Sequence, residues 1–360
     1  EGDTVARDTV STEWTFGGHT KYQYLYTRIP DNSVLYGING DKLQDHNLEI
    51  RLKASVRRDR WDTRVHAQLI GAHSDTLSGF RDLPGLLIPG TDVINDDRRW
   101  FNLTHEFKNE GKNASIVRLD RVNIGFSGER TVIRFGRQAI SWGNGLLFTP
   151  MDILNPFDPA AIDTEYKTGD DMMYLQYLRA NGDDVQAAWV IRRDPLTGDV
   201  ETDAATIAVK YHGFAGQGEY DVLVAQSYGD PVIGVGAGRS IGGAVWSADL
   251  TVTETDLDTY AQFVTNLAYS WIWGGKNMSG TLEYYYNGFG LRRYDPASLA
   301  ANPDLVQRIA RGELFGLGRH YLAGSVMIEL SPLWVVTPVL LANLEDPSAL
   351  LQLVSNVSLG

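Results

Sequence analysis

The sequence predicts an all-β fold, a transmembrane antiparallel up-and-down β-barrel of about 16 strands, with 18 strands as the fallback count. Three observations predict it: polar and apolar residues alternate over long segments, such segments repeat along the 360 residues, and long and tight connections separate them. A barrel strand needs only about 9–11 tilted residues, with apolar side chains facing lipid and polar side chains facing the lumen. We therefore expect a water-filled, polar interior.

The composition limits the alternatives. The chain has no cysteine, which excludes disulfides and thiolate metal sites, and its formal net charge of −13 argues against a nucleic-acid partner. Its seven histidines lack zinc-type spacing on a helix, so no cofactor is expected. The sequence contains no run of about 18 apolar residues, so it predicts no membrane-spanning helix. The chain begins without a signal peptide, and we interpret it as a mature form from which the signal has been removed.

The clearest strand pair lies between residues 48 and 69. Segment 48–57, LEIRLKASVR, alternates apolar and polar residues throughout, and segment 61–69 does the same after a short turn. Two alternating segments joined by a tight turn predict a β-hairpin. Further strands are predicted near residues 16–26, 115–127, 130–138, 172–179, 185–192, 204–212, 220–227, 231–238, 244–253, 260–271, 279–287, 321–330, 333–343 and 349–359.

The connections differ in length in a regular way. The long ones are predicted at residues 29–46, 74–113, 139–170 and 291–318. If strands alternate in direction, these long loops share the extracellular side and the tight turns share the other, as in bacterial outer-membrane barrels. This count treats residues 100–107 as a loop excursion. Residues 1–360 are then one barrel domain in a Gram-negative outer membrane, in contact with its lipid and lipopolysaccharide.

Two long connections carry structure of their own. Residues 139–170 contain three prolines, which fix φ and remove donors, and too many apolar residues for a disordered loop. We expect them to fold inward as a constriction loop. In residues 291–318, Asn302 as N-cap, Pro303 in the first turn and Gly312 beyond the end predict a short helix. That helix is either a surface cap or a lid over the mouth.

The polar faces of the predicted strands are strongly charged. They are basic in the first half and more acidic in the second, where Asp221, Asp249, Glu283 and Glu329 lie. We expect the basic wall to face acidic residues of the constriction loop, because such a transverse field selects ions. Two alternatives stay open: ion pairs that only rigidify the wall, and Ca²⁺ binding by the acidic loop. The predicted lumen and selectivity residues are Arg51, Lys53, Arg64, Arg118, Arg121, Arg134, Asp152, Asp158, Asp163 and Glu165.

One motif resembles a known family. FGRQ at residues 135–138, followed by SWGNG and then PMDILNPFDP, is similar to a motif of Gram-negative outer-membrane barrels in the alginate-export-like group. The resemblance implies a monomeric barrel whose basic lumen passes an anionic polysaccharide. The basic residues of the first half match that lumen in kind. The acidic second half and the negative net charge depart from it.

Three functions fit these observations. The favoured one is a porin-like channel that passes small hydrophilic solutes, including anions, through a charged lumen. The alternatives are an exporter of an anionic exopolysaccharide, which would need a periplasmic partner, and a barrel that sheathes a partner such as an electron-transfer subunit. Catalysis is not expected, because a catalytic triad would need a histidine close to a nucleophile on the outer surface, whereas His19 and His66 fall on the lumen face.

Overall fold

A computed structural model describes residues 11–29, 41–81, 95–159, 166–195, 197–293, 296–345 and 348–357. Its strands are β1 (Thr12–Arg28), β2 (Lys42–Arg58), β3 (Trp61–Ser74), β4 (Thr104–Glu110), β5 (Asn113–Ser127), β6 (Thr131–Gln138), β7 (Asp170–Leu178), β8 (Asp184–Val190), β9 (Thr206–Ala215), β10 (Gly218–Ser227), β11 (Asp230–Ile241), β12 (Ala244–Glu254), β13 (Thr259–Trp273), β14 (Lys276–Asn287), β15 (His320–Ser331), β16 (Trp334–Asn343) and β17 (Ala349–Val357). Its helices are α1 (Asp75–Arg81), α2 (Pro296–Ala300) and α3 (Pro303–Ala310).

The strands form one antiparallel up-and-down sheet of 17 strands. When β4 is left out, each of the other 16 strands pairs with the next strand along the chain. This meander therefore has the predicted number of strands. Strand β4 is the exception: β5 pairs with β6 through residues 122–127 and with β4 through residues 113–118. The interpretation of residues 100–107 as a loop is therefore wrong from Thr104 onward, and the described residues hold 17 strands, one fewer than the fallback count of 18.

The two ends of the sheet differ as predicted. Turns of two to five residues join β2–β3, β5–β6, β7–β8, β9–β10, β11–β12, β13–β14 and β15–β16, and all of them lie at one end. The connections that begin after β1, β3, β6 and β14 are long and lie at the other end. No helix among the described residues is long and apolar enough to cross a membrane.

The burial pattern is the inverse of that in a soluble protein. Large apolar side chains face outward and are exposed, for example Leu52 at 64% and Ile233 at 59%. Charged side chains on the opposite faces are buried, for example Arg51 at 2% and Glu283 at 1%. Exposing apolar faces to water while burying charges would be costly on both counts. The arrangement is the one expected for strands with lipid outside and polar groups inside.

The sheet curves around the connection between β6 and β7, residues 139–169, which we call the inner loop. Its residues contact inward-facing side chains of strands as far apart in pairing order as β2, through Lys53, and β14, through Glu283. Neighbouring strands lie about 4.8 Å apart, so a flat sheet would hold these two strands about 50 Å from each other. The contacts therefore require the sheet to curl around the inner loop, as in a barrel.

A cluster of buried charges holds part of the long connection after β3 in place. Arg137 donates to both Asp96 and Asp171 at 2.9–3.0 Å, and the Arg137 and Asp96 side chains are each 1% exposed. Burial raises the pKa of Asp96, but the guanidinium groups of Arg137 and Arg99 lower it further, and the net pKa lies below the ordinary value. Because each of these buried charges is paired, the cluster holds in place the segment that leads into β4.

The predicted helix in the long connection before β15 is confirmed as α3. The Asn302 side chain accepts a hydrogen bond from the Leu305 backbone N–H at 3.1 Å, and proline occupies the first turn. Leu305 and Ile309 are buried in a small apolar cluster with Phe289. The helix is therefore held in this long connection by the packing of its apolar side against that cluster.

Candidate functional site

The inner loop is anchored by a carboxylate on the far wall. Glu283 of β14 accepts three backbone N–H groups, from Leu146 at 2.6 Å, Leu147 at 3.0 Å and Phe148 at 2.8 Å. Consecutive N–H groups that converge on one carboxylate form a concave anion site, and charge-assisted bonds of this kind are stronger than neutral ones. The loop is thus fixed at a defined depth in the lumen.

A second carboxylate holds the preceding residues. Asp249 of β12 accepts from the Asn144 backbone N–H at 2.6 Å and from its side-chain amide at 2.7 Å. The Asn144 carbonyl in turn accepts from Asn266 of β13 at 2.8 Å. Three neighbouring strands therefore clamp one short stretch of loop.

This clamp explains the glycines of the SWGNG motif. Gly143 has φ +98°, a conformation that favours glycine, and a Cβ there would lie 2.9 Å from an Asp249 carboxylate oxygen. A Cβ at Gly145 would lie 1.8 Å from the Phe148 carbonyl oxygen. The motif thus permits the close backbone approach that the clamp requires.

The loop seals one side of the lumen with apolar contacts. Trp142, Met151 and Leu154 are buried against the inner faces of β7–β11, where Val190 and Leu223 are fully buried. The Trp142 indole N–H donates to Gln186 of β8 at 2.7 Å. Strands β9–β11 consequently carry apolar residues on both faces, and the loop covers those of the inner face.

An ion pair closes the loop on itself. The Lys167 ammonium binds the Asp152 carboxylate and donates to the Ile140 carbonyl at 2.6 Å, which joins the end of the loop to its beginning. Burial raises the pKa of Asp152 and lowers the pKa of Lys167, and the opposite charge of each partner only partly offsets this. Asp152, predicted to face the basic wall, is instead bound to Lys167.

The basic wall is formed by inward-facing residues of β1, β2, β3, β5 and β6, and it contains all six predicted basic residues. Arg51 pairs with Asp120 at 2.6 Å, and Arg121 pairs with the same carboxylate at 2.8 Å. Cations outnumber carboxylates among the inward-facing residues of this wall. The cations include Lys21, Arg51, Lys53, Arg57, Arg64, Arg118, Arg121 and Arg134, and the carboxylates include Glu13, Asp45, Glu49, Asp62 and Asp120.

The remaining predicted cations differ in exposure. Arg118 is buried and donates to Gln68 at 3.0 Å, while Arg64 and Arg134 share Asp62 at 3.4 Å. The Arg64 side chain is 43% exposed, whereas that of Arg51 is 3% exposed. The wall therefore has a structural layer of buried arginines and a solvated layer that includes Arg64.

Tyr166 brings the inner loop to the basic wall. Its ring lies 4.1 Å from the Lys53 ammonium, 4.4 Å from the Arg51 guanidinium carbon and 5.3 Å from the Lys21 ammonium, and it stacks on His19. Lys53 also donates to its hydroxyl. The attraction between these cations and the aromatic ring holds the inner loop against the basic wall at Tyr166.

Sequence reasoning named some site residues and missed others. Asp158 is half-buried near the end of the described loop, and Asp163 and Glu165 lie outside the described residues. Asp249 and Glu283 were recognised as lumen residues, but not as anchors of the loop. Tyr166 and Asn144 were missed, and the only signal for Asn144 was its position between two glycines. Among the described residues, no group of His, Asp or Glu could hold a metal ion.

Comparison with known proteins gives a likeness to porins in fold alone. No protein-family model matches the sequence, and no curated protein matches it. The anion-selective porin from Comamonas acidovorans is similar at 12% identity and TM-score 0.45, over 92% of this chain and 88% of that chain. OprB of Pseudomonas putida, in its low-pH structure, is similar at 10% identity and TM-score 0.47, over 96% and 92%. A mutant of Rh. blastica porin is similar at 8% identity and TM-score 0.47, over 95% and 98%.

The resemblance of the central motif to the alginate-export-like group is not confirmed by these comparisons. At such identities the function has to be argued from the residues of this chain.

Proposed function

We propose that this protein is a passive channel of a Gram-negative outer membrane, which admits small hydrophilic solutes and favours anions. The observation that carries the proposal is the inverted burial: exposed apolar side chains outside, charged side chains inside, on a sheet that curls around its own loop. Lipid outside and water inside make this distribution favourable, and sixteen or more strands leave room for an aqueous path.

The path runs along the basic wall. The opposite side is closed by the apolar contacts of Trp142, Met151 and Leu154 and by the clamp on Glu283. Partly exposed cations on β1–β3 support an aqueous space on the wall side. The narrowest part of the path lies beside Tyr166, the loop residue that contacts this wall.

The sign of the wall favours anions. Three of its carboxylates are paired with arginine: Asp120 with Arg51 and Arg121, Asp62 with Arg64 and Arg134, and Glu49 with Arg51. The excess charge facing water is therefore positive, and charges that line a pore select ions of opposite sign. The export and sheath alternatives gain no specific support from the described residues.

The test is ion selectivity in planar lipid bilayers. The triple variant Lys21→Gln, Lys53→Gln, Arg64→Gln removes three partly exposed cations of the wall and leaves the buried arginine pairs intact. We expect the reversal potential in a salt gradient to move toward cation preference by several millivolts or more, with the single-channel conductance largely retained.

The matched control is Arg58→Gln, Arg239→Gln, Lys276→Gln, which removes three exposed cations near the tight turns. This control should leave the reversal potential unchanged. Absence of any conductance from the folded wild-type protein would refute the channel. An unchanged reversal potential in the first triple variant would refute the anion preference alone.

A further inference from the structure

The inward faces of the last three strands, β15–β17, are largely apolar. Tyr321 shows which face of β15 is inward, because its ring lies 5.2 Å from that of Phe148 in the inner loop. Side chains alternate along a strand, and directly paired residues of neighbouring strands share a face. The same inward face therefore carries a set of residues that we call the apolar strip: Met327, Val335, Val339, Leu341, Leu350 and Val354.

The apolar strip is contiguous and open to water. Leu341 lies directly opposite Leu350, and Val339 is diagonal to both Leu350 and Val354, within reach of side-chain contact. Met327 is 45% exposed and Leu350 is 38% exposed, and the other four residues are half-buried. Apolar surface that stays in contact with water inside a polar lumen is unfavourable, and a solute that covered it would recover that free energy.

The strip differs from the other walls of the interior. On β9–β11 the inner loop covers the inward-facing apolar residues, whereas the strip is only touched by the loop near Leu341. Among the described inward-facing residues of β15–β17, Glu329 is the only charged one, and it lies at the end of the sheet that carries the tight turns. The strip is thus an accessible apolar surface with little charge of its own.

The strip and the basic wall border the same space. Strands β1 and β17 are the two ends of the meander, and the curl of the sheet brings them toward each other. The inner loop lies against both sides, because its Leu147 packs in the same cluster as Leu341, and its Tyr166 stacks on His19 of β1. A solute that passes beside the loop therefore meets the strip on one side and cations on the other.

The cations closest to the strip in strand order are Lys21 of β1 and Lys53 of β2, and both are partly exposed. Two strand spacings separate β17 from β2 across β1, which corresponds to about 10 Å. A short hydrocarbon chain or one aromatic ring with a charged head group spans such a distance. A second negative charge on the apolar end would face the strip, where it would lose hydration without gaining a cation.

We infer that the channel selects amphipathic monoanions, with the anionic head at Lys21 and Lys53 and an apolar body against the apolar strip. The inference rests on the proposed channel function and names the substrate class of that channel. Carboxylates and sulfonates with a short alkyl chain or a single ring have this chemistry. Small inorganic anions share the head group but cannot use the strip.

The test compares hexanesulfonate with methanesulfonate as blockers of the chloride current in planar bilayers. Both are fully ionised at neutral pH, so neither crosses the lipid as a neutral acid. We expect saturable block by hexanesulfonate, with an apparent dissociation constant lower than that of methanesulfonate by about tenfold or more. The variant Met327→Gln, Val339→Thr, Val354→Thr keeps the side-chain sizes and makes the strip polar, so the ratio of the two constants should fall toward one.

A converse variant keeps the test decisive if the triple variant does not fold. Thr337→Val replaces the hydroxyl of the residue directly opposite Val354 with a methyl group, and it should strengthen block by hexanesulfonate alone. The matched control is Val245→Thr, an inward-facing and 49% exposed residue of β12 outside the strip, which should leave the ratio unchanged.

The possible failures are distinguishable. A conducting wild-type channel in which both sulfonates block at the same concentration would overturn this inference and leave the channel function standing. An unchanged ratio in both the triple variant and Thr337→Val would overturn it too. Absence of any chloride conductance would instead refute the channel itself.

Discussion

Removing the charge of Glu283 tests whether one carboxylate fixes the inner loop. Glutamine at this position keeps one oxygen and replaces the other with an NH₂ group. The retained oxygen can still accept from Leu147 and Phe148, while the new NH₂ would face the Leu146 N–H, which now donates at 2.6 Å. Glu283→Gln thus loses one bond outright and the charge assistance of the other two.

The magnitude follows from the three bonds. A hydrogen bond to a charged group contributes about 1.5–3 kcal/mol, so the three bonds of the anchor are together worth about 4.5–9 kcal/mol at most. The glutamine variant should lose about 2 kcal/mol or slightly more. Because 1.4 kcal/mol corresponds to tenfold, the ratio of released to docked loop should rise about thirtyfold.

The assay is trypsin cleavage after Lys167 together with single-channel recording. In the docked loop the Lys167 side chain is 6% exposed, so cleavage reports release. We expect faster cleavage and larger, noisier conductance in Glu283→Gln. Glu329→Gln is the control, since Glu329 lies on the paired strand β15 and bonds Asn277 instead of the loop. Equal cleavage and equal conductance in both variants would refute the role assigned to Glu283.

Two further predictions concern the loop backbone and the Asp96 cluster. Gly145→Ala should release the inner loop, because its Cβ would lie 1.8 Å from the Phe148 carbonyl oxygen; Gly71→Ala, with no atom within 4 Å, should not. Equal trypsin sensitivity of the two would contradict this. Since the pKa of Asp96 is lowered in the folded state, its stabilisation is present above pH 3.8 and is lost as the pH falls through the folded value. Pepsin cleavage within residues 95–103, scaled to an unfolded reference peptide, should appear only below pH 3.8; cleavage already at pH 4.5 would contradict it.

The strands were predictable where one face is polar. The predicted hairpin of residues 48–57 and 61–69 corresponds to β2 and β3, which are longer at their outer ends. Helix α3 was predictable because its signals are local: an N-cap, a proline and a terminal glycine. Periodicity and capping are properties of neighbouring residues, so a single sequence contains them.

The features that were missed depend on distant residues. Strand β4 pairs with β5 only because β6 ends early and leaves the edge of residues 113–118 open. Tyr166 matters because the fold brings it to β1 and β2, more than 100 residues away. The inward-facing apolar residues of β9–β11 were not recognised, because both faces of these strands are partly apolar and the alternation does not distinguish them. Their burial is explained only by the inner loop that packs on them.

The acidic half of the interior shows why the net charge of the chain says little about its path. Asp249 and Glu283 are covered by the N–H groups of the inner loop, and Asp221 by Lys210 and His212 at 3.0 Å. These carboxylates serve as structural acceptors and face the loop, whereas the partly exposed cations lie on β1–β3. Under the proposed channel function, a chain of formal charge −13 can therefore present a positive surface to the solute path, because Asp221, Asp249 and Glu283 are bound by donors of its own fold.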